Sequence, residues 1–417
     1  MSTERFGLLG EHLGHSFSKI IQERLTGLPY ELIEVPRDGL DAFLKEAPFS
    51  AVNVTIPYKQ AVLPYLSSVS DEARKMGAVN VILNRGGRLE GHNTDYYGFI
   101  SLARRSRIDF RGRKVLILGA GGGAKAVKAA CEALGAPVVR NAVRSPKTPD
   151  DILLSAIPED NGFNIVVNAT PVGMFPDVDG VPVSVRSFPC LEGALDIIYN
   201  PLRTNFILDA RAAGVPALGG LWMVVSQAVK AAGLFHSCTY PESEIEAIYG
   251  ELLHSRRNIV LIGMPSSGKS TIGKMLAHAE GLDFLDTDAM VEEKAGMKIS
   301  EIFARFGEPR FREIEREVVR EVSARSGVVI ATGGGVPLDP SNVRALSRGG
   351  IVVYLQTDPS RLRATASRPL SSSREALEKM FEVRRPIYEA AADLTVDNNS
   401  SAASCLSRLL HALSLLS

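Results

Sequence analysis

Short apolar runs, separated by segments long enough for helices, recur along this chain in two series. "KVLILGAGGG" (114–123), "NIVVNATPVGM" (164–174) and "GALDIIY" (193–199) read as buried strands whose tips carry glycine, amide or aromatic side chains. "RNIVLIGMPSSGKS" (257–270), "VVIATGGG" (328–335) and "GIVVYLQT" (350–357) form the second series. Strands that alternate with helical stretches predict βαβ units and parallel sheets. Between the series, "ESEIEAIYGELLHSRR" (242–257) predicts a helix that ends in a basic cluster. The strand–loop–helix pattern restarts at Asn258, which puts a domain boundary near residues 253–257 with no Gly/Ser linker. No repeat of solenoid period appears.

Composition narrows the class without naming a chemistry. A length of 417 residues exceeds what one hydrophobic core comfortably serves, and 45% apolar with 23% charged residues is ordinary for a globular protein. Lys plus Arg (47) balances Asp plus Glu (47), so no long-range field draws in nucleic acid or a membrane surface. Cys131, Cys190, Cys238 and Cys405 are scattered with no CxxC pair, which points to thiols in a reducing compartment. The stretch "MSTERFGLLGEHLG" lacks a signal-peptide core, and no run reaches the ~20 apolar residues of a membrane span. A cytoplasmic location is the expectation.

The chemistry lies at the strand tips. In "GMPSSGKS", Gly263 is followed by four residues and then by Gly268-Lys269-Ser270, the spacing of a phosphate-binding loop. Its glycines let backbone amides curl around phosphate oxygens; Lys269 neutralises the β/γ phosphates, and the Ser270 hydroxyl ligates magnesium. Ser267 and Thr271 complete the nucleotide cradle. Downstream stand "FLDTDAM" (284–290), "GEPRFREIE" (307–315), "ATGGGVPL" (331–338), "SRPL" (367–370) and "VRRPIY" (383–388). In this order and spacing they resemble shikimate kinase across residues 257–400.

That resemblance implies an ATP- and Mg2+-dependent kinase. Asp286 would hold magnesium through water, and Asp288 would face the acceptor hydroxyl as base or orienting group. Arg312, Arg384 and the Gly333-Gly334-Gly335 turn would bind the carboxylate and ring hydroxyls of shikimate, where an arginine fork suits a small acid. Arg368 would be the lid arginine over the phosphates. The stretch before it, "RLRATASRPLSSSRE", is shorter than the family pattern.

In the first half, "GAGGGA" follows an apolar strand and opens a helical stretch. Gly119, Ala120, Gly121, Gly122, Gly123 and Ala124 therefore suit a dinucleotide pyrophosphate at a helix N-terminus. The next strand, "APVVRNAV", ends in Arg144 and Ser145 with no acidic residue for a ribose 2′-hydroxyl. A basic corner suits a 2′-phosphate and hence NADP(H). "GHSFS" (14–18), "NVTIPYK" (53–59), "GAVNV" (77–81), "GHNTDYYG" (91–98), "NATPVGM" (168–174), "DIIYNPLRT" (196–204) and "GLWMVVSQA" (220–228) together resemble shikimate dehydrogenase over residues 5–250.

By that resemblance Ser16, Ser18, Asn53, Thr55, Asn80, Tyr199 and Gln227 surround the substrate, and Lys59 with Asp95 is the catalytic pair. Two departures stand out. The family's Asn-Arg-Thr at the adenine-ribose corner is Val143-Arg144-Ser145 here, followed by a pared-down "SPKTPDD", and Lys19 replaces the proline after "HSFS".

The two resemblances imply consecutive steps: reduction of 3-dehydroshikimate to shikimate, then its phosphorylation to shikimate 3-phosphate. The expected architecture is α/β. Residues 1–100 with a return at 221–253 form the substrate lobe, 101–220 a Rossmann NADP lobe, and 257–417 a P-loop kinase domain of nucleoside-monophosphate-kinase type with a parallel sheet. Two alternatives stay open: a non-catalytic shikimate-binding module joined to an active kinase, or an NAD-linked quinate/shikimate dehydrogenase in the first half.

Overall fold

The computed structural model describes residues 4–14, 16–362 and 373–415. The chain divides into two compact units, residues 1–249 and 250–417. Among the described residues, no helix is long and apolar enough to cross a membrane.

The first unit opens with β1 (Phe6–Gly10), α1 (Phe17–Thr26), β2 (Tyr30–Glu34), α2 (Leu40–Glu46), β3 (Ala51–Val54), β4 (Ser68–Val69), α3 (Asp71–Met76), β5 (Val81–Arg85) and β6 (Arg88–His92). These strands form a sheet ordered β2-β1-β3-β5-β6-β4. It is mixed rather than parallel, because β5 runs antiparallel to both β3 and β6. The β5–β6 part of this is local. Gly86 and Gly87 hold φ values of 63° and 87°, which permit a tight hairpin between β5 and β6 in place of a helical crossover.

After α4 (Asp95–Ser106) come β7 (Lys114–Leu118), α5 (Gly122–Ala133), β8 (Val138–Val143), β9 (Ile152–Leu153), β10 (Ile165–Asn168), β11 (Gly193–Asp196), α6 (Asn205–Ala212) and β12 (Ala217–Leu218). Their sheet, ordered β12-β11-β10-β7-β8-β9, is parallel throughout. Val115, Leu116, Ile117 and Leu118 are all fully buried, as expected of a strand covered on both faces. Beyond β12, α7 (Leu221–Phe235) returns to α4, where a Cβ at Gly98 would lie 2.7 Å from the Met223 carbonyl oxygen. Trp222, the only tryptophan, is buried there; its Nε1 donates to Ser101 Oγ (2.7 Å), and the Arg105 guanidinium lies 3.9 Å above its ring. The following helix, α8 (Glu242–Arg256), contains the division between the units.

In the second unit β13 (Asn258–Ile262), α9 (Lys269–Glu280), β14 (Asp283–Asp286), α10 (Thr287–Ala295), α11 (Ile299–Ser323), β15 (Val328–Ala331), α12 (Pro340–Gly349), β16 (Gly350–Gln356), α13 (Arg374–Ala391), β17 (Leu394–Asp397) and α14 (Ala402–Ser414) follow in order. The sheet is ordered β14-β15-β13-β16-β17, and every pair in it is parallel. Gly307, at φ 75°, breaks α11 just before the turn that carries Arg312. Apolar clusters cover both faces: Val260, Ile262 and Ile330 face α11 and α13, while Ile259, Leu261 and Val329 face α9 and α14.

Candidate active sites

In parallel sheets, ligands collect beyond the carboxyl ends of the strands. The glycine turn, the phosphate loop and the glycine run stand there, while Asn80 precedes antiparallel β5 and Gln227, Arg312 and Arg384 come from helices.

In the first unit, Lys59 Nζ lies 2.6 Å from Asp95 Oδ2, although 36 residues separate them. Asp95 opens α4, and the Asn93 side chain accepts from its amide at 3.0 Å. Asn80, buried to 3% exposure, donates from Nδ2 to Asp95 Oδ1 and to Thr94 Oγ1, both at 3.0 Å. Its Oδ1 accepts the Thr94 amide at 2.7 Å. Thr94 Oγ1 in turn donates to Gln227 Oε1 at 3.2 Å. One polar chain thus joins Lys59, Asp95, Asn80, Thr94 and Gln227.

Asn53 sits on β3, where its Oδ1 accepts the Tyr30 hydroxyl at 2.7 Å. Thr55 follows on the same strand end, its amide bound to the Leu9 carbonyl at 2.9 Å. Ser16 is the N-cap of α1, and its Oγ accepts the Ser18 amide at 3.2 Å. Between these two serines, Phe17 packs its ring 5.1 Å from that of Tyr199, whose hydroxyl pKa is raised by burial. The structure therefore brings the serine pair to Tyr199, across the two sheets of this unit.

The glycine turn meets the same cleft. Gly119 holds φ 106°, and a Cβ there would lie 3.0 Å from the Ala169 carbonyl oxygen. Asn141 Nδ2 fixes the turn by donating to the Gly119 carbonyl at 2.7 Å. Gly121 is the N-cap of α5; Gly122 and Gly123 are its first residues, and Ala124 is buried behind them. With Ala120, they leave the first amides of α5 without helical partners, a fit for a pyrophosphate. A Cβ on Gly122 would lie 3.5 Å from Lys59 Cδ, so the lysine stem passes directly beneath the turn. Arg144 and Ser145 stand exposed past the end of β8. The loop after them is held by Asp151, whose Oδ2 accepts the Lys147 and Thr148 amides at 2.8 and 2.9 Å.

In the second unit the loop after β13 has Gly263 at φ 145° and Gly268 at φ 82°, and Ser266 shares the left-handed region at φ 63°. Lys269 Nζ is buried in the loop, donating to the Gly263 carbonyl (3.0 Å) and the Met264 carbonyl (2.8 Å), with Ser267 Oγ at 3.5 Å. Ser270 Oγ donates to Asp286 Oδ2 at 2.6 Å, a hydroxyl–carboxylate pair of the hard-oxygen type that magnesium prefers. Thr271 lies exposed one residue along α9. Asp286 also caps α10 through Oδ1, accepting the Asp288 amide at 3.0 Å.

The acceptor side is built on the glycine run. A Cβ on Gly334 would lie 2.9 Å from Pro265 Cδ, so the run abuts the phosphate loop. Thr287 Oγ1 accepts the Gly333 amide at 2.8 Å, and a Cβ at Gly333 would collide with Asp288 Oδ1. Arg384 Nη1 and the Tyr388 hydroxyl both donate to the Gly334 carbonyl, at 3.1 and 2.7 Å. Arg312 lies against Gly335 and is clamped by Glu315 (Nη1–Oε2, 2.8 Å) and Glu308 (Nη2–Oε1, 2.8 Å). Burial works against its charge, but the two carboxylates outweigh burial and raise its pKa. Glu315 is 2% exposed; burial and neighbouring Asp288 raise its pKa despite Arg312. Arg368 lies outside the described residues.

Several contributors were not singled out from the sequence: Thr94, Asn141, Thr287, Glu315 and Tyr388. Glu315 is the most readable of them, since "REIE" places it three residues after Arg312 on one helix face.

These two sites define a dinucleotide-linked oxidoreductase fold and a P-loop small-molecule kinase fold in one polypeptide. A family model for shikimate kinase matches residues 265–414, and one for the shikimate dehydrogenase substrate binding domain matches residues 8–82. The first half is similar to the shikimate dehydrogenase (NADP(+)) of Clostridium perfringens, 36% identical over 265 residues, covering 59% of this chain and 97% of that protein. The second half is similar to the shikimate kinase of Actinobacillus succinogenes, 42% identical over 156 residues, covering 36% of this chain and 89% of that protein. Among solved structures, the shikimate 5-dehydrogenase of Thermus thermophilus in complex with NADP(H) and shikimate matches with a TM-score of 0.53 at 32% identity, over 60% of this chain and 99% of that one. A chorismate mutase/shikimate 5-dehydrogenase fusion from Clostridium acetobutylicum matches with a TM-score of 0.57 at 33% identity, over 60% of this chain and 98% of that one. The chain belongs to the shikimate dehydrogenase family in its first half and to the shikimate kinase family in its second. It is a bifunctional enzyme of the shikimate pathway.

Proposed function

We propose that the first half reduces 3-dehydroshikimate to shikimate with NADPH and that the second half phosphorylates the same shikimate 3-hydroxyl with ATP and Mg2+. The observation that carries this reading is the Lys59–Asp95 contact at 2.6 Å directly under the glycine turn. When bound, NADPH supplies the hydride and MgATP the phosphoryl group. Lys59, held by Asp95, positions a proton at the substrate oxygen on which negative charge develops. Asn80, Thr94 and Gln227 keep that pair in one orientation, and Ser16, Ser18, Asn53, Thr55 and Tyr199 hold the substrate's carboxylate and hydroxyls. Arg144 and Ser145 receive the 2′-phosphate.

In the kinase half, the phosphate-loop amides and Lys269 hold the β/γ phosphates, while Ser270 and Asp286 hold magnesium. Asp288 faces the acceptor hydroxyl, and Arg312 and Arg384 hold the acceptor carboxylate. In this assignment residues 1–100 with 221–253 are the substrate lobe, 101–220 the dinucleotide lobe and 257–417 the kinase.

The test is one assay of purified protein with 3-dehydroshikimate, NADPH, ATP and Mg2+. NADPH absorbance and shikimate 3-phosphate by mass spectrometry are followed for the wild type, Lys59→Ala and Lys269→Ala. Each variant is expected to block only its own step. Phosphorylation of added shikimate without NADPH consumption would refute the dehydrogenase assignment, and faster turnover with NADH would refute the NADP assignment.

A further inference from the structure

Beyond the catalytic pair, the first unit holds a buried carboxylate that no step above uses. Asp196 ends β11 and Asn168 ends β10; the two are register partners, and both are 0% exposed. Asn168 Nδ2 donates to both Asp196 oxygens at 3.1 Å. Thr204 Oγ1 donates to Asp196 Oδ2 at 2.6 Å, and the Ile198 amide donates to Oδ1 at 2.9 Å. Burial is the larger influence on this group, lifting its pKa to about 7 against those donors.

The network reaches both ligands' sides. Asn168 Oδ1 accepts from the Thr170 hydroxyl (2.7 Å) and amide (3.1 Å), which shapes the loop whose Ala169 carbonyl and Thr170 methyl press on Gly119 of the cofactor turn. The Phe175 amide donates to the Asn200 carbonyl at 3.0 Å, tying that loop to the one after β11. The second loop carries Tyr199, whose ring meets Phe17 between Ser16 and Ser18. Thr204, 1% exposed, closes the arrangement: it caps α6 and sets its Cβ against the position a side chain on Gly173 would take.

We propose that Asp196, clamped between Asn168 and Thr204, is a positioning residue of the dehydrogenase that sets the cofactor turn and the Tyr199 side of the substrate pocket at once. With none of its surface exposed, it acts through the two loops. This inference rests on the dehydrogenase reading above. A residue touching one ligand moves that ligand's KM; a linker between loops moves both together.

The experiment is steady-state shikimate oxidation with NADP+ by the full chain, comparing the wild type, Asp196→Asn, Thr204→Val and Thr204→Ser, with thermal unfolding of each. Thr204→Val removes one hydrogen bond to a buried carboxyl group, and both KM values are expected to rise about three- to tenfold with kcat reduced. Thr204→Ser restores the hydroxyl and returns both to within about twofold of wild type. Asp196→Asn, which turns a donor toward other donors, is expected to lower kcat/KM for both ligands by about a hundredfold. Arg144→Ala and Ser16→Ala serve as one-ligand references, each moving a single KM.

Folded variants with unchanged KM values, or with only one KM moved, would overturn the proposal. Should Asp196→Asn fail to fold, the Thr204→Val and Thr204→Ser pair decides alone. A wild type that does not oxidise shikimate would instead overturn the functional reading on which this rests.

Discussion

Replacing Gly335 with alanine places one methyl group where the kinase half has no room for it. The backbone tolerates the change, since Gly335 sits at φ −94°, ψ −14°, in the right-handed region open to any residue. The obstacle is Arg312: the new Cβ would lie 2.8 Å from its Nη2 and 2.9 Å from its Cζ, with Nη1 nearer still. Comfortable contact between non-bonded heavy atoms is about 3.5–4.0 Å, so the guanidinium has to retreat by about 1 Å.

It cannot do so without loss, because Glu315 and Glu308 each hold it at 2.8 Å. Retreat stretches the bond to Glu315, a carboxylate with nearly no solvent to replace its partner. Misplacement of a binding group by about 1 Å is worth up to about 10²-fold in rate, so kcat/KM for shikimate phosphorylation is expected to fall about 10- to 100-fold. Most of the loss should appear as a raised shikimate KM. The clash involves the end of a long side chain, so the melting temperature should move little.

ADP release measured against shikimate at saturating ATP, then against ATP at saturating shikimate, separates the two ligands. The ATP KM and the dehydrogenase activity should stay within about twofold of wild type. An unchanged shikimate KM in folded protein, or an equal rise for ATP, would refute the placement of Arg312 at the acceptor carboxylate.

Three further outcomes are expected. Asp196, with its folded-state pKa raised by burial from 3.8 to about 7, binds a proton between those values that the unfolded chain has released. Stability of the dehydrogenase unit is therefore expected to fall by a few kcal/mol as pH rises from about 4 to 7, and Asp196→Asn should flatten that slope in denaturant titrations read by the fluorescence of Trp222, the only tryptophan. Trp222→Phe loses the bond to Ser101 and part of the stacking under Arg105, and should destabilise the first unit by about 1–3 kcal/mol without shifting urea inactivation of the kinase. Asp286→Ala should raise the magnesium concentration needed for half-maximal phosphorylation and cost about 1 kcal/mol as a lost helix cap; Asp286→Asn keeps a capping oxygen and should show the magnesium defect with less instability.

How much of this was legible beforehand varied with the range of the interaction. The phosphate loop and the glycine turn were readable from short windows, because a few residues at fixed spacing dictate their backbone. The expectation of parallel sheets did not include the β5–β6 hairpin, although its paired glycines in "NRGGR" are a local turn signal; the positive φ values at Gly86 and Gly87 belong to that turn. The Arg312–Glu315 pair lay three residues apart on one helix face, but its burial, which gives it its influence, was invisible.

Thr94 illustrates the other limit. It stands inside the quoted "GHNTDYYG", yet its bond to Gln227 spans 133 residues and exists only because α7 packs on α4 at Gly98.

The sequence by itself determined the two classes of nucleotide cradle, the alternation of strands and helices, and the residues that could do the chemistry. Each of those depends on backbone conformation or burial within a dozen or so neighbouring positions. Only the tertiary structure decided which of those residues meet. Lys59 reaches Asp95 because strand order brings two loop ends together. Asn168 grips Asp196 because the parallel register of β10 and β11 sets them side by side, fully buried. Register and strand order follow from the burial of whole faces at once, a sum over distant segments that no short window contains.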